Sequence, residues 1–103
     1  MPLPEITKET FEAEVLKSET PVLVDFNAGW CGPCKALKPV VEEIAAATPG
    51  VKFVSVDIDH QEELAEDHDV SSIPCLVLFK GGEEAARSVG LVSRDAILEL
   101  IGG

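Results

Sequence analysis

The run Val22-Leu23-Val24-Asp25-Phe26 constrains this chain most, being short, β-branched and apolar on both faces apart from one acid. A strand of that kind has to be covered on both sides, which places it inside a sheet with layers above and below. Just beyond it, Leu37, Val40, Val41 and Ile44 fall at i, i+3, i+4 and i+7, the spacing of an amphipathic helix over 34–47. Pro39 lies inside that helix and removes the N–H that would bond the Lys35 carbonyl, so a kink is expected there. A buried strand running into an amphipathic helix is the opening unit of an α/β fold.

The other segments extend the pattern. Residues 7–18 read as a first helix, with Phe11 and Val15 four apart on one face and Glu9 and Glu12 near its positive end. Pro49-Gly50 ends the second helix, and 51–58 reads as the next strand. A weakly amphipathic acidic helix is expected over 62–68. A buried strand at 75–79 then turns at Gly81-Gly82 into a hairpin with 84–89. Ser93 is placed to cap a last helix that buries Ile97, Leu98 and Ile101, with Gly102-Gly103 fraying. The order α-β-α-β-α-β-β-α, with 3–6 as a short edge strand, describes a central mixed sheet of four to five strands covered by helices on both faces. At 103 residues the chain is one domain, 1–103, because a second would leave neither half enough core.

Charge excludes several partners. Nineteen acids against eight bases give −11, which repels phosphate backbones and anionic membrane surfaces. No apolar run approaches the roughly 20 residues that span a bilayer. Neither a basic segment nor an apolar stretch marks Met1-Pro2-Leu3-Pro4-Glu5, so a cytoplasmic location is expected. Seven acids fall within 57–69 without a Lys or Arg, and a solvated helix face accounts for them. His60 and His68 have no partner at metal spacing and are expected on the surface.

Three cysteines exclude a fully paired disulfide scaffold within one chain. Two of them, Cys31 and Cys34, stand where a strand ends and a helix begins. Unpaired N–H groups and the helix dipole there favour a Cys31 thiolate, the nucleophilic form. Cys34 follows by about one helical turn, close enough to reach back to Cys31. Pro33 has no N–H to lose in a first turn, and Gly32 permits the tight approach. Half of a zinc site is the competing reading. It needs two more ligands from Cys75, His60 and His68, and no second C-x-x-C exists. A proline between the cysteines, beside Trp30, fits redox chemistry better.

The stretch Val24-Asp25-Phe26-Asn27-Ala28-Gly29-Trp30-Cys31-Gly32-Pro33-Cys34-Lys35 resembles the active site of the thioredoxin family. Ile73-Pro74, Phe79-Lys80-Gly81-Gly82 and Val89-Gly90 are similar to that family's later landmarks, in the same order. The resemblance implies the thioredoxin fold and a redox-active Cys31–Cys34 disulfide, with no metal or other cofactor. It implies protein-disulfide reduction, with Cys31 as nucleophile and a more buried Cys34 as resolving thiol. Asp25, desolvated by its apolar neighbours, would accept the Cys34 proton. Trp30, Gly32, Pro33, Ile73, Pro74, Val89, Gly90 and Leu91 match the family's docking groove, and the Ile73–Pro74 bond would be cis. Ordinary packing is the competing reading for Val89 and Leu91. The implied partners are disulfide-containing proteins and a thioredoxin reductase, the implied state a monomer, and the implied setting cell redox homeostasis.

The chain departs from the family at three points. Cys75 stands where Thr is common, either as an inert buried thiol or as a third redox thiol. Ser55 stands where bacterial-type members often carry a lysine paired with the buried acid, so a higher Asp25 pKa than in those members is expected. Asn27 replaces a frequent aromatic residue, with no consequence assigned. Two other functions stay open: a thiol oxidase or isomerase of the same fold, or a binding subunit with dispensable cysteines. Gly32-Pro33 resembles the reducing branch, whereas oxidants and isomerases usually carry histidine between the cysteines.

Overall fold

A computed structural model describes residues 2–102; Met1 and Gly103, and with them the expected fraying of Gly103, lie outside the described residues. The elements are α1 (Lys8–Phe11), a π-helical segment (Glu12–Leu16), β1 (Val22–Asn27), α2 (Gly32–Ala47) and β2 (Lys52–Asp57). They continue with α3 (Glu62–Asp67), β3 (Cys75–Lys80), β4 (Glu83–Val89) and α4 (Arg94–Gly102). The strands form one mixed sheet in the order β2-β1-β3-β4. β1 runs parallel to β2 and antiparallel to β3, and β3 runs antiparallel to β4.

Period-two alternation along β1 sorts its side chains between two cores. Val22, Val24 and Phe26 face a layer containing Phe11, Val15 and Leu64 from α1, the π segment and α3. Leu23 faces the opposite layer, with Leu37, Val41 and Ile44 of α2 and Ile97 of α4. Each such buried aliphatic side chain contributes roughly 1.5–3 kcal/mol relative to exposure. Asp25, two residues after Leu23, therefore points toward α2, and it is the one buried charged residue among those described.

Four local expectations need correction. Of the side chains expected to be buried by the last helix, Ile97 is buried and Ile101 half-buried, but Leu98 is exposed. The first helix does not run as α-helix over 7–18. It widens after Phe11, and Lys17 N–H bonds the Glu12 carbonyl in an i→i+5 step. Residues 3–6 do not form a strand: Glu5 makes one isolated parallel bridge to Ser55. Pro2 and Pro4 carry no N–H, so the segment supplies only the Ile6 donor and the Pro4 acceptor to Ser55. The His68 ring is half-buried, not fully out on the surface. Its centroid lies 4.9 Å from Phe11 in a tilted contact and 5.5 Å from Phe79 edge to face, and desolvation holds its pKa below the ordinary histidine value.

The hairpin turn is as expected in place: Gly81 and Gly82 both have positive φ, as a tight two-residue turn demands. α2 stays helical through Pro39. Ser93 Oγ accepts from the N–H of Ala96, capping α4. Among the described residues no helix is long and apolar enough to cross a membrane.

Candidate active site

β1 delivers the chain from the sheet to the start of α2, and the two cysteines occupy that junction. Cys31 is the N-cap of α2 in extended conformation (φ −84°, ψ 110°), with proline in the first turn. Its Sγ accepts a hydrogen bond from the main-chain N–H of Cys34 at 3.1 Å. Cys31 and Cys34 are joined as a disulfide, their Cα atoms 5.2 Å apart. One of the free amides at the helix start is thus aimed at the sulfur where negative charge develops when the bond opens.

Cys34 is not the more buried of the pair. Cys31 is 4% exposed and Cys34 6%, because in the disulfide both sulfurs pack with Ala28 against Ile58 and Ile73. The Ile73–Pro74 bond is cis, and the Pro74 carbonyl accepts from the Gly90 N–H at 2.8 Å. That bond ties the turn before β3 to the end of β4. Around this buried centre Trp30, Val89 and Leu91 are more than half exposed, which removes core packing as the account of Val89 and Leu91. Gly32 and Pro33 are exposed as well, while Ile73 is half-buried and Pro74 buried.

Asp25 and Cys34 line one cleft of about 320 Å³ between the edge of the sheet and α2. Asp25 is 5% exposed, and its Oδ1 meets no hydrogen-bond partner. Desolvation pushes its pKa from 3.8 up to about 6; the Asn27 side chain and then the Lys38 charge pull the other way. Asn27 now has a defined place. Its Nδ2 donates to the Asp25 main-chain carbonyl at 2.9 Å and to Ser55 Oγ at 2.8 Å, bridging β1 to β2. Cys75 is a buried free thiol on β3 whose pKa is raised by desolvation, so its reactive thiolate is disfavoured.

Among the cleft residues that sequence reasoning missed are two on α2, Lys38 and Glu42. Their signal was present: they stand four and eight residues after Cys34, along the flank of α2 beside its buried stripe.

The thioredoxin family model matches residues 2–102. Thioredoxin C-2 of Corynebacterium nephridii is 48% identical over 96 residues, covering 92% of this chain and 89% of that protein. The thioredoxin of Chlamydia trachomatis is 55% identical over 80 residues, 78% of each chain. Among solved structures, similarity extends to a chain from work on the thiol-resolving mechanism of yeast mitochondrial 1-Cys peroxiredoxin via glutathione/thioredoxin systems. It has a TM-score of 0.88 at 29% identity and covers 97% of this chain and 93% of its own. With a Cys31–Cys34 disulfide at the start of α2 and these relatives, the chain belongs to the thioredoxin family of disulfide oxidoreductases, which work by dithiol–disulfide exchange.

Proposed function

We propose that this chain reduces protein disulfides in the cytoplasm and is itself recharged by a thioredoxin reductase. In the reduced state the Cys31 thiolate attacks one sulfur of a target disulfide. The target S–S bond breaks, its other sulfur leaves as a thiolate that takes a proton, and Cys31 is joined to the target. Cys34 then gives its proton to Asp25 and attacks the Cys31 sulfur. The second target sulfur leaves, two electrons have passed to the target, and the Cys31–Cys34 disulfide remains.

The observation that carries this reading is the Cys34 N–H aimed at Cys31 Sγ, which favours Cys31 as the leaving and attacking sulfur. A carboxyl pushed up to about 6 beside Cys34 supports Asp25 as the proton acceptor near neutral pH. Exposed Trp30, Val89 and Leu91 around the disulfide support an apolar docking surface for unfolded or extended segments of target proteins. The absence of histidine between the cysteines supports reduction over oxidation.

Reduction of insulin disulfides driven by dithiothreitol tests the function. Cys31→Ser is expected to abolish the acceleration; retention of full activity would favour a binding role with dispensable cysteines. Equilibration with glutathione tests the direction. A potential more negative than the roughly −180 mV of disulfide isomerases is expected, and a less negative one would make the chain an oxidant.

A further inference from the structure

Among the described residues two buried side-chain oxygens have no hydrogen-bond partner, Oδ1 of Asp25 and Oε2 of Glu42. Both residues line the same cleft, together with Cys34 and Lys38. Cys34, Lys38 and Glu42 form an i, i+4, i+8 row on α2, so Glu42 lies about 12 Å from Cys34 along the axis, with Lys38 midway. Lys38 enters no salt bridge among the described residues. Lys38, an exposed lysine on a flexible four-carbon stem, therefore shares the cleft with two carboxyls that each carry an orphaned oxygen.

Among the described residues the other elements bring no cation into the cleft. On β2 its register partner is Ser55, whose Oγ is taken by Asn27, and the titratable group lining the cleft from that strand is the acid Asp57. From the N-terminal segment the cleft is lined by Glu5, again an acid. On β3 Asp25 faces Leu76, with the Cys75 thiol one register position along. α2 contributes Lys35 and Lys38, of which Lys38 is the one that lowers the proton affinity of Asp25.

We propose that Lys38 is the counter-cation of Asp25 in this chain and that Glu42 competes for it, so that this pair sets how tightly Asp25 holds the proton of Cys34. Lys38 and Glu42 are positioning residues: they touch no substrate and act through Asp25. The inference rests on the reading of Asp25 as acceptor for Cys34, and its electrostatic half stands apart from that reading. Removing the Lys38 charge leaves the Asn27 side chain as the group that still favours the ionised form of Asp25, and its titration midpoint rises. Removing Glu42 releases Lys38 to Asp25 and takes away a repelling charge, lowering the midpoint. The two changes have opposite signs and share one intermediary, so they are non-additive.

The test follows the Asp25 side-chain carbon by NMR across pH in the oxidised protein. It also follows release of thionitrobenzoate from a Cys31 mixed disulfide, which occurs when Cys34 attacks. Lys38→Met is expected to raise the Asp25 midpoint by about half a pH unit or more, and Glu42→Gln to lower it by a similar amount. Lys38→Arg restores the parent value, Glu42→Gln loses most of its effect in the Lys38→Met background, and the pH profile of release moves with the midpoint. Midpoints within about 0.2 pH units of the parent in both single variants, or shifts of the same sign, overturn the inference. If the midpoints move as stated but Asp25→Asn leaves release unchanged at every pH, the reading of Asp25 as acceptor falls instead.

Discussion

The main-chain N–H of Cys34 lies 3.1 Å from the Sγ of Cys31 and donates to it across the first turn of α2. In the reduced protein the same amide would stabilise a Cys31 thiolate, and among the described residues no hydrogen bond is directed at the Cys34 sulfur. The pH dependence of iodoacetamide alkylation, resolved by peptide mass, is therefore expected to give a Cys31 midpoint below the roughly 8.5 of a free cysteine. Cys34 is expected to alkylate more slowly at every pH, and equal rates would remove the asymmetry on which the assignment of roles depends.

Asp25 makes stability depend on pH in a defined direction. Its carboxyl titrates at 3.8 when unconstrained and at about 6 in the fold, with burial the leading cause. Below pH 3.8 both states are protonated and the burial carries no charge penalty. Between 3.8 and 6 the unfolded chain has lost the proton that the native state still holds, so stability falls as pH rises. Above 6 the full loss, about 3 kcal/mol, is present. Asp25→Asn stays neutral throughout, so its advantage over the parent in urea unfolding is expected to be near zero at pH 3.5 and about 3 kcal/mol at pH 8. An advantage that does not change with pH would locate the effect in packing.

The hairpin separates backbone strain from steric fit. Gly81 (φ 59°) and Gly82 (φ 83°) both occupy the left-handed region, where an added side chain costs about 1–2 kcal/mol. A Cβ on Gly81 meets nothing within 4 Å, whereas one on Gly82 comes within 2.8 Å of the Leu16 main-chain oxygen, at the end of the π-helical segment. Gly82→Ala is therefore expected to lose at least about 1 kcal/mol more than Gly81→Ala in thermal or urea unfolding. Equal losses would mean that the π segment moves away without penalty.

The sheet and the redox pair were legible because each rests on a local rule. Val22, Val24 and Phe26 sort to one face by period two and Leu23 to the other, which also fixes where Asp25 points. Cys31, Pro33 and Cys34 announce a helix start. What escaped depends on contacts between distant segments or on states the chain does not spell out. The π step after Phe11 has no compositional mark, although it lays the Leu16 carbonyl against Gly82. His68 reads as a polar residue in an acidic run, yet α3 turns its ring into the aromatic cluster of Phe11 and Phe79. The near-equal burial of the two cysteines belongs to the closed disulfide, not to either residue type. Asn27 and Ser55 become partners only through the parallel register of β1 and β2, in which Asp25 stands opposite Ser55.

The central claim is that Cys31 attacks and Cys34 resolves. Reduced Cys34→Ser, incubated with a disulfide-containing protein substrate and resolved on a non-reducing gel, measures it directly. The expected result is a stable mixed disulfide whose link maps to Cys31, with no such adduct from Cys31→Ser. Adducts that accumulate through Cys34 in the Cys31→Ser variant, and not through Cys31 in Cys34→Ser, would contradict it.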